Sequence, residues 1–151
     1  TGVSVVTLCY LHRFLNKIVP LFAELEQESV ALSDEVADFL TEVAAVLESH
    51  QGSIGSCPVS DAVRKDVMEA LGTAAERYRN RIYQKGFSAS KRSVALSSVV
   101  DCLSRARDVS AVSIRSNRRE DGLYHAYNRI AVSNSGVEIK YLYDRGKAKK
   151  T

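Results

Sequence analysis

The sequence predicts a mainly α-helical fold, a four-helix antiparallel bundle-like domain followed by a C-terminal β-hairpin. Three observations carry this. Four long stretches space their apolar residues three and four apart, as one face of a helix requires. The stretches between them are short and rich in Ser and Gly. After Asp121-Gly122 the pattern changes to alternation with a period of two. The expected organisation is a helical domain over 1–116, a turn and β-hairpin over 117–144 packed on it, and a basic tail over 145–151.

The first helix starts near Val3, with Leu8, Leu11, Leu15, Ile18, Phe22 and Leu25 as its apolar stripe. Pro20 falls inside this pattern and is expected to kink the helix or start a new one, because its ring blocks the preceding turn. Glu24, Glu26 and Glu28 read as a solvated face. Ser33 is a candidate N-cap, with Asp34 and Glu35 in the first turn, where they complement the helix dipole. Val36, Phe39, Leu40, Val43, Val46 and Leu47 form the second stripe, ending near Ser49. Residues 50–59 read as a loop. Ser60 caps the third helix, whose stripe is Val63, Val67, Leu71, Ala74, Tyr78 and Ile82. Gly86 suits its end, as a C′ residue with positive φ. Residues 87–93 read as a Ser-rich loop. The fourth helix is expected over 94–114, with Leu96, Val99, Val100, Leu103, Ala106 and Val109 facing inward. In the hairpin, Tyr124, Ala126, Asn128, Ile130 and Val132 share one face of the first strand. Val137, Ile139, Tyr141 and Tyr143 share one face of the second, across a turn at 133–136. Four of the seven tyrosines fall in this region.

A chain of 151 residues is long enough for one domain with a real core. Its apolar fraction, 45%, and charged fraction, 26%, suit a soluble globular protein. The most apolar stretch, 3–15, is interrupted by Thr7, His12 and Arg13 and is too short to cross a bilayer, so no membrane partner is expected. Cys9, Cys57 and Cys102 are odd in number and far apart in sequence. Free thiols in a reducing, cytoplasmic setting are the expectation, with a Cys9–Cys102 bridge as the alternative. The chain begins at Thr1 and ends in a charged tail, which suggests a piece of a longer polypeptide.

The net charge of +3 hides an asymmetry. Residues 1–60 hold eight acids against Arg13 and Lys17, or −6, and residues 61–151 hold ten acids against nineteen bases, or +9. The halves either attract each other as packed layers, or the basic half meets an anionic partner. The bases Arg77, Arg81, Lys85, Lys91, Arg92, Arg105 and Arg107 suit phosphate contact, but Glu76, Asp101 and Asp108 interrupt them. No aromatic RNA-binding motif accompanies them.

Motifs for chemistry are sparse. His12, His50 and His125 are dispersed, and neither H-E-x-x-H nor C-x-x-C occurs, so no metal or cofactor is expected. The G-S-I-G-S-C run at 52–57 lacks the Lys-Ser/Thr ending of a phosphate loop, and no G-x-S-x-G elbow is present. The best candidate site is the stretch 117–128, where Arg118, Arg119, Glu120, Asp121, Tyr124, His125, Tyr127 and Asn128 collect. Aromatic rings offer apolar faces to sugars or bases, and Asn, Asp and Arg supply directed hydrogen bonds. Glu120 or Asp121 would serve as acid or base if partly buried. The competing reading is structural: the arginines pair with helix-end carbonyls and acids, Gly122 makes the turn, and Tyr124 and Tyr127 pack.

The run Ile114–Asn128, I-R-S-N-R-R-E-D-G-L-Y-H-A-Y-N, resembles a segment of very large bacterial proteins that share an N-R-R-x-D-G-L-Y-H-A-Y-N motif. There too the segment follows a long helix and leads into a strand-like run. The resemblance implies a fragment of a bigger helical protein and no particular activity. The resulting expectation is a structural or binding module whose partner is the remainder of a larger polypeptide or another protein. A carbohydrate-processing role near the 117–128 turn is the second reading, and nucleic-acid binding the third.

Overall fold

The computed structural model describes residues 3–54, 59–128, 131–133 and 136–138. It is mainly helical, with strands β1 (Val3–Ser4), β2 (Ser29–Ser33), β3 (Lys91–Ala95), β4 (Tyr127–Asn128), β5 (Ala131–Ser133) and β6 (Gly136–Glu138). The long helices are α1 (Val5–Ala23), α2 (Asp34–Ser49), α4 (Asp61–Lys85) and α5 (Leu96–Ser116), and α3 (Gln51–Ile54) is a single turn. Helix α5 is the common neighbour: α1 and α2 pack along it, and α4 packs on α2. Val112 of α5 also meets Val59 and Val67 at the start of α4, with Val63, Leu71 and Val109 around them.

Local sequence places the helix starts. The hydroxyls of Ser4, Ser33 and Ser60 accept hydrogen bonds from the amides of Thr7, Val36 and Val63 at 3.2, 3.4 and 3.3 Å. Each satisfies one of the amides that a helix N-terminus leaves without a partner. Helix α5 starts at Ala95 with no side-chain cap. Its first amide, that of Leu96, instead donates to the Glu28 carbonyl at 2.9 Å. Gly86 follows α4 with φ +68° and ψ −168°, a region essentially reserved for glycine and distinct from the left-handed helical conformation expected there.

Several expectations need correction. The principal strand pair is not C-terminal. It joins β2 to β3 antiparallel, with Val30 opposite Val94 and Leu32 opposite Arg92. Each of these strands was read as the margin of a helix or a loop. Only five residues long, each runs directly into a helix, so its alternation is too short to stand apart from the helical pattern that follows. The expected strand over 123–132 is broken. Residues 118–124 close a turn, with Arg118 bridged to Tyr124, and Tyr127–Asn128 pair with Val3–Ser4 at the other end of the chain. Ala131–Ser133 pair with Gly136–Glu138. How that ribbon packs, Ile139 to Tyr143, the 145–151 tail and Cys57 all lie outside the described residues.

Helix α1 runs through Pro20 to Ala23 without restarting. Its buried seam is Val5, Leu15 and Val19, while Leu11 and Leu25 of the expected stripe are exposed. At 19 residues it is, by length and composition alone, long and apolar enough to cross a membrane, which the shorter stretch in the sequence reading was not. Only Val5, Leu15 and Val19 of its residues are buried in this fold. His12 adds a polar link to α5. The Ser110 hydroxyl donates to the Arg107 carbonyl at 2.7 Å, and the His12 Nδ1 sits 2.9 Å from the Ser110 oxygen. Ser110 thus links the two helices. Cys9 and Cys102 are free thiols, and burial pushes the Cys102 thiol up.

Candidate binding site between α2, α4 and β3

The acidic first third of the chain and the basic remainder meet along α2. Arg77 pairs with Glu42 at 3.1 Å, Arg92 with Asp38 at 2.5 Å, and Arg105 with Glu48 at 3.7 Å. Arg81 pairs closely with Asp38 and reaches Glu35 at 3.5 Å. In each pair the acid comes from α2 and the base from α4, β3 or α5. The charge asymmetry of the sequence is therefore spent largely within the molecule, and five of the seven bases in the basic run are paired with acids, counting Arg107 with its neighbour Asp108.

Glu35 is the unusual member. It sits in the first turn of α2, where acids are normally solvated, yet it is 2% exposed. Its Oε1 accepts from the Ser88 amide at 3.0 Å. The loop after Gly86 is pinned around it: the Asp34 amide donates to the Ser90 carbonyl at 3.2 Å, and the Ser90 hydroxyl donates to Asp34 Oδ2 at 2.6 Å. Hydrogen bonds from Ser88, aided by the Arg81 charge, hold the Glu35 carboxyl below the usual range. Asp38 is lowered by its bonds from Arg81 and Arg92. Glu35 Oε2 is buried with no hydrogen-bond partner among the described residues.

Beside these groups lies a pocket of about 290 Å³, lined chiefly by Glu35, Asp38, Glu42, Arg77, Arg81 and Arg92, with Thr41, Ala74 and an aromatic pair completing it. Phe39 and Tyr78 stack there with centroids 4.9 Å apart. Sequence reading placed Phe39 and Tyr78 on inward stripes and the arginines on a surface ladder. It missed the pocket because Glu35 and Ser88 are 53 positions apart.

The stretch 117–128 is built differently. Asn117 is wholly buried, and its amide nitrogen donates to the Ser113 carbonyl at 2.7 Å. Its own carbonyl accepts from the His125 amide at 3.0 Å. The Arg119 amide donates to the Leu123 carbonyl at 2.7 Å, and its guanidinium pairs with Asp121 at 2.7 Å. The Leu123 amide donates to Asp121 Oδ1 at 3.1 Å. Gly122 supplies φ +82°. The Arg119–Asp121 pair and the Gly122 turn agree with the structural reading of this stretch, whereas Tyr124 is exposed rather than packed. Arg118, Glu120, Asp121 and Tyr124 are exposed, while Arg119 and His125 are half-buried. The side chains of Tyr127 and Asn128 lie outside the described residues. Arg92 of the pocket precedes α5 and this turn follows it, so a 21-residue helix, roughly 30 Å long, separates the two.

Among the described residues, no group of three His, Cys, Asp or Glu side chains is arranged to hold a metal ion. No family model matches the chain, and no curated protein matches it.

Proposed function

We propose that this chain is an assembly module that pairs with a second copy of itself through the outer face of α1. The observation that carries this reading is an apolar back to a helix already packed on its other side. Tyr10, Phe14 and Leu21 are 67, 57 and 58% exposed, with Val6, Leu11 and Leu25 beside them. At 100° per residue Val6, Tyr10, Phe14 and Leu21 fall on the arc opposite Leu15 and Val19, with Lys17 among them, while Leu11 lies beside Leu15 and Leu25 follows the end of the helix. Isolated exposed apolar residues are ordinary, but a contiguous face marks an interaction surface.

A two-fold pairing suits this face because one patch serves both partners. The 117–128 stretch is tied to the N-terminal end of α1. The Val5 amide donates to the Ala126 carbonyl at 3.0 Å, which holds the turn beside the start of α1, and Leu123 and Tyr124 are exposed there.

The test is sedimentation velocity of wild type, Phe14→Glu and Leu21→Glu. Burying one such side chain stabilises an interface by about 1.5–3 kcal/mol, so each variant is expected to weaken association about tenfold or more, with an unchanged far-UV spectrum. A wild type that stays monomeric, or that floats with neutral lipid vesicles instead of pairing, overturns the reading.

A further inference from the structure

We infer that the pocket between α2, α4 and β3 binds one neutral, polyhydroxylated unit of saccharide size. This site is separate from the α1 face and does not depend on how that face is used.

Three observations point to this ligand class. First, the lining is charged but balanced. Glu35, Asp38 and Glu42 oppose Arg77, Arg81 and Arg92, so the pocket offers acceptors and donors side by side without net formal charge. An ionic ligand gains no net attraction there. A hydroxyl, which donates and accepts at once, can use both partners of an Arg–carboxylate pair. Second, the Phe39–Tyr78 stack lines the same pocket and supplies apolar surface for the C–H face of a sugar ring. Third, Glu35 carries a built-in demand for a donor. Its side chain is 1% exposed, and its Oε2 has no partner among the described residues. A buried acceptor left unsatisfied is costly, so a donor brought beside Glu35 is favoured.

The ion pairs preorganise the site. Asp38 is held by two guanidiniums and Glu35 by the Ser88 amide and Arg81, so the carboxylates are fixed before a ligand arrives. Little side-chain ordering remains to be done on binding, which is the main way a small pocket gains affinity.

The experiment is a two-dimensional NMR titration of the whole chain. The probes are glucose, galactose, mannose, cellobiose and maltose, with glucuronate and glucosamine as charged controls. The expected result is saturable shifts for at least one neutral sugar, concentrated at residues 35–42, 74–81 and 92, and weaker binding of the controls. Tyr78→Ala removes the ring and Arg77→Ala removes an exposed donor. Both are expected to bind at least fivefold more weakly, and the spectrum of Arg77→Ala shows directly that the fold is kept. Absence of saturable shifts with every neutral sugar overturns the inference. So does tighter binding of a charged control, or unchanged affinity in a folded Arg77→Ala and Tyr78→Ala.

Discussion

Glu35 shows how far a single residue's role departs from its local sequence. By position it is a first-turn acid, one that favours a helix N-terminus in water. By environment it is a buried anchor for a loop 53 residues away. Its carboxyl and that of Asp38 are both held below the ordinary range in the fold. A lowered folded value means the stabilisation is fully present above the unfolded carboxylate range, about pH 4–4.5, and is lost as pH falls through the lowered values. Glu35→Gln keeps an acceptor for the Ser88 amide but cannot titrate. Thermal unfolding followed from about pH 6 down to pH 2 is expected to show a steeper loss for wild type than for this variant. Parallel curves would mean that Glu35 contributes nothing to acid sensitivity. The caps at Ser33 and Ser60 were legible because a cap needs only its next three residues. The burial of Glu35 and Asn117 was not, since it is set by chain that returns from elsewhere.

At the scale of elements, the helices were readable and the strands were not. Periodicity fixed the four long helices to within a few residues. It placed the inward side of α1 slightly off: Leu15 is buried and Leu8, Ile18 and Phe22 are half-buried, but Leu11 is exposed and Val5 and Val19 complete the seam. Strands β2 and β3 give each other partners across 57 intervening residues, and neither carries a signal alone. The linker that delivers β3 takes positive φ at two points, at no cost for glycine and with strain for alanine. Gly86 has φ +68° and Ala89 has φ +63°. No atom lies within 4 Å of a Cβ built on Gly86, so a side chain there meets backbone strain rather than a clash. Gly86→Ala is expected to destabilise the fold by about 1–3 kcal/mol in chemical denaturation. Ala89→Gly relieves a positive φ on a residue with a side chain and is expected to be neutral or stabilising by up to about 1 kcal/mol. Equal losses from both substitutions would contradict this account of the linker.

For the whole molecule, two features of the sequence acquire a physical meaning. The opposite charges of its two parts are brought together, α2 facing the arginines of α4, β3 and α5. Most of these pairs are partly exposed, where ion pairs contribute little to stability, so they align layers more than they hold them. The apolar excess of α1 exceeds what α5 covers, and the remainder faces outward. The stretch 117–128, which collects the most chemistry-bearing residues in sequence, folds into a turn that Arg119 and Asp121 hold together and that is tied to the start of the chain. The pocket forms instead from residues scattered over 35–92, whose convergence no local pattern announces.

The most direct test is the molar mass of the wild-type chain at sedimentation equilibrium over a range of concentrations. Pairing through α1 predicts a mass that rises toward two chains and returns to one for Leu21→Glu. A single-chain mass throughout, the same for wild type and variant, would contradict it.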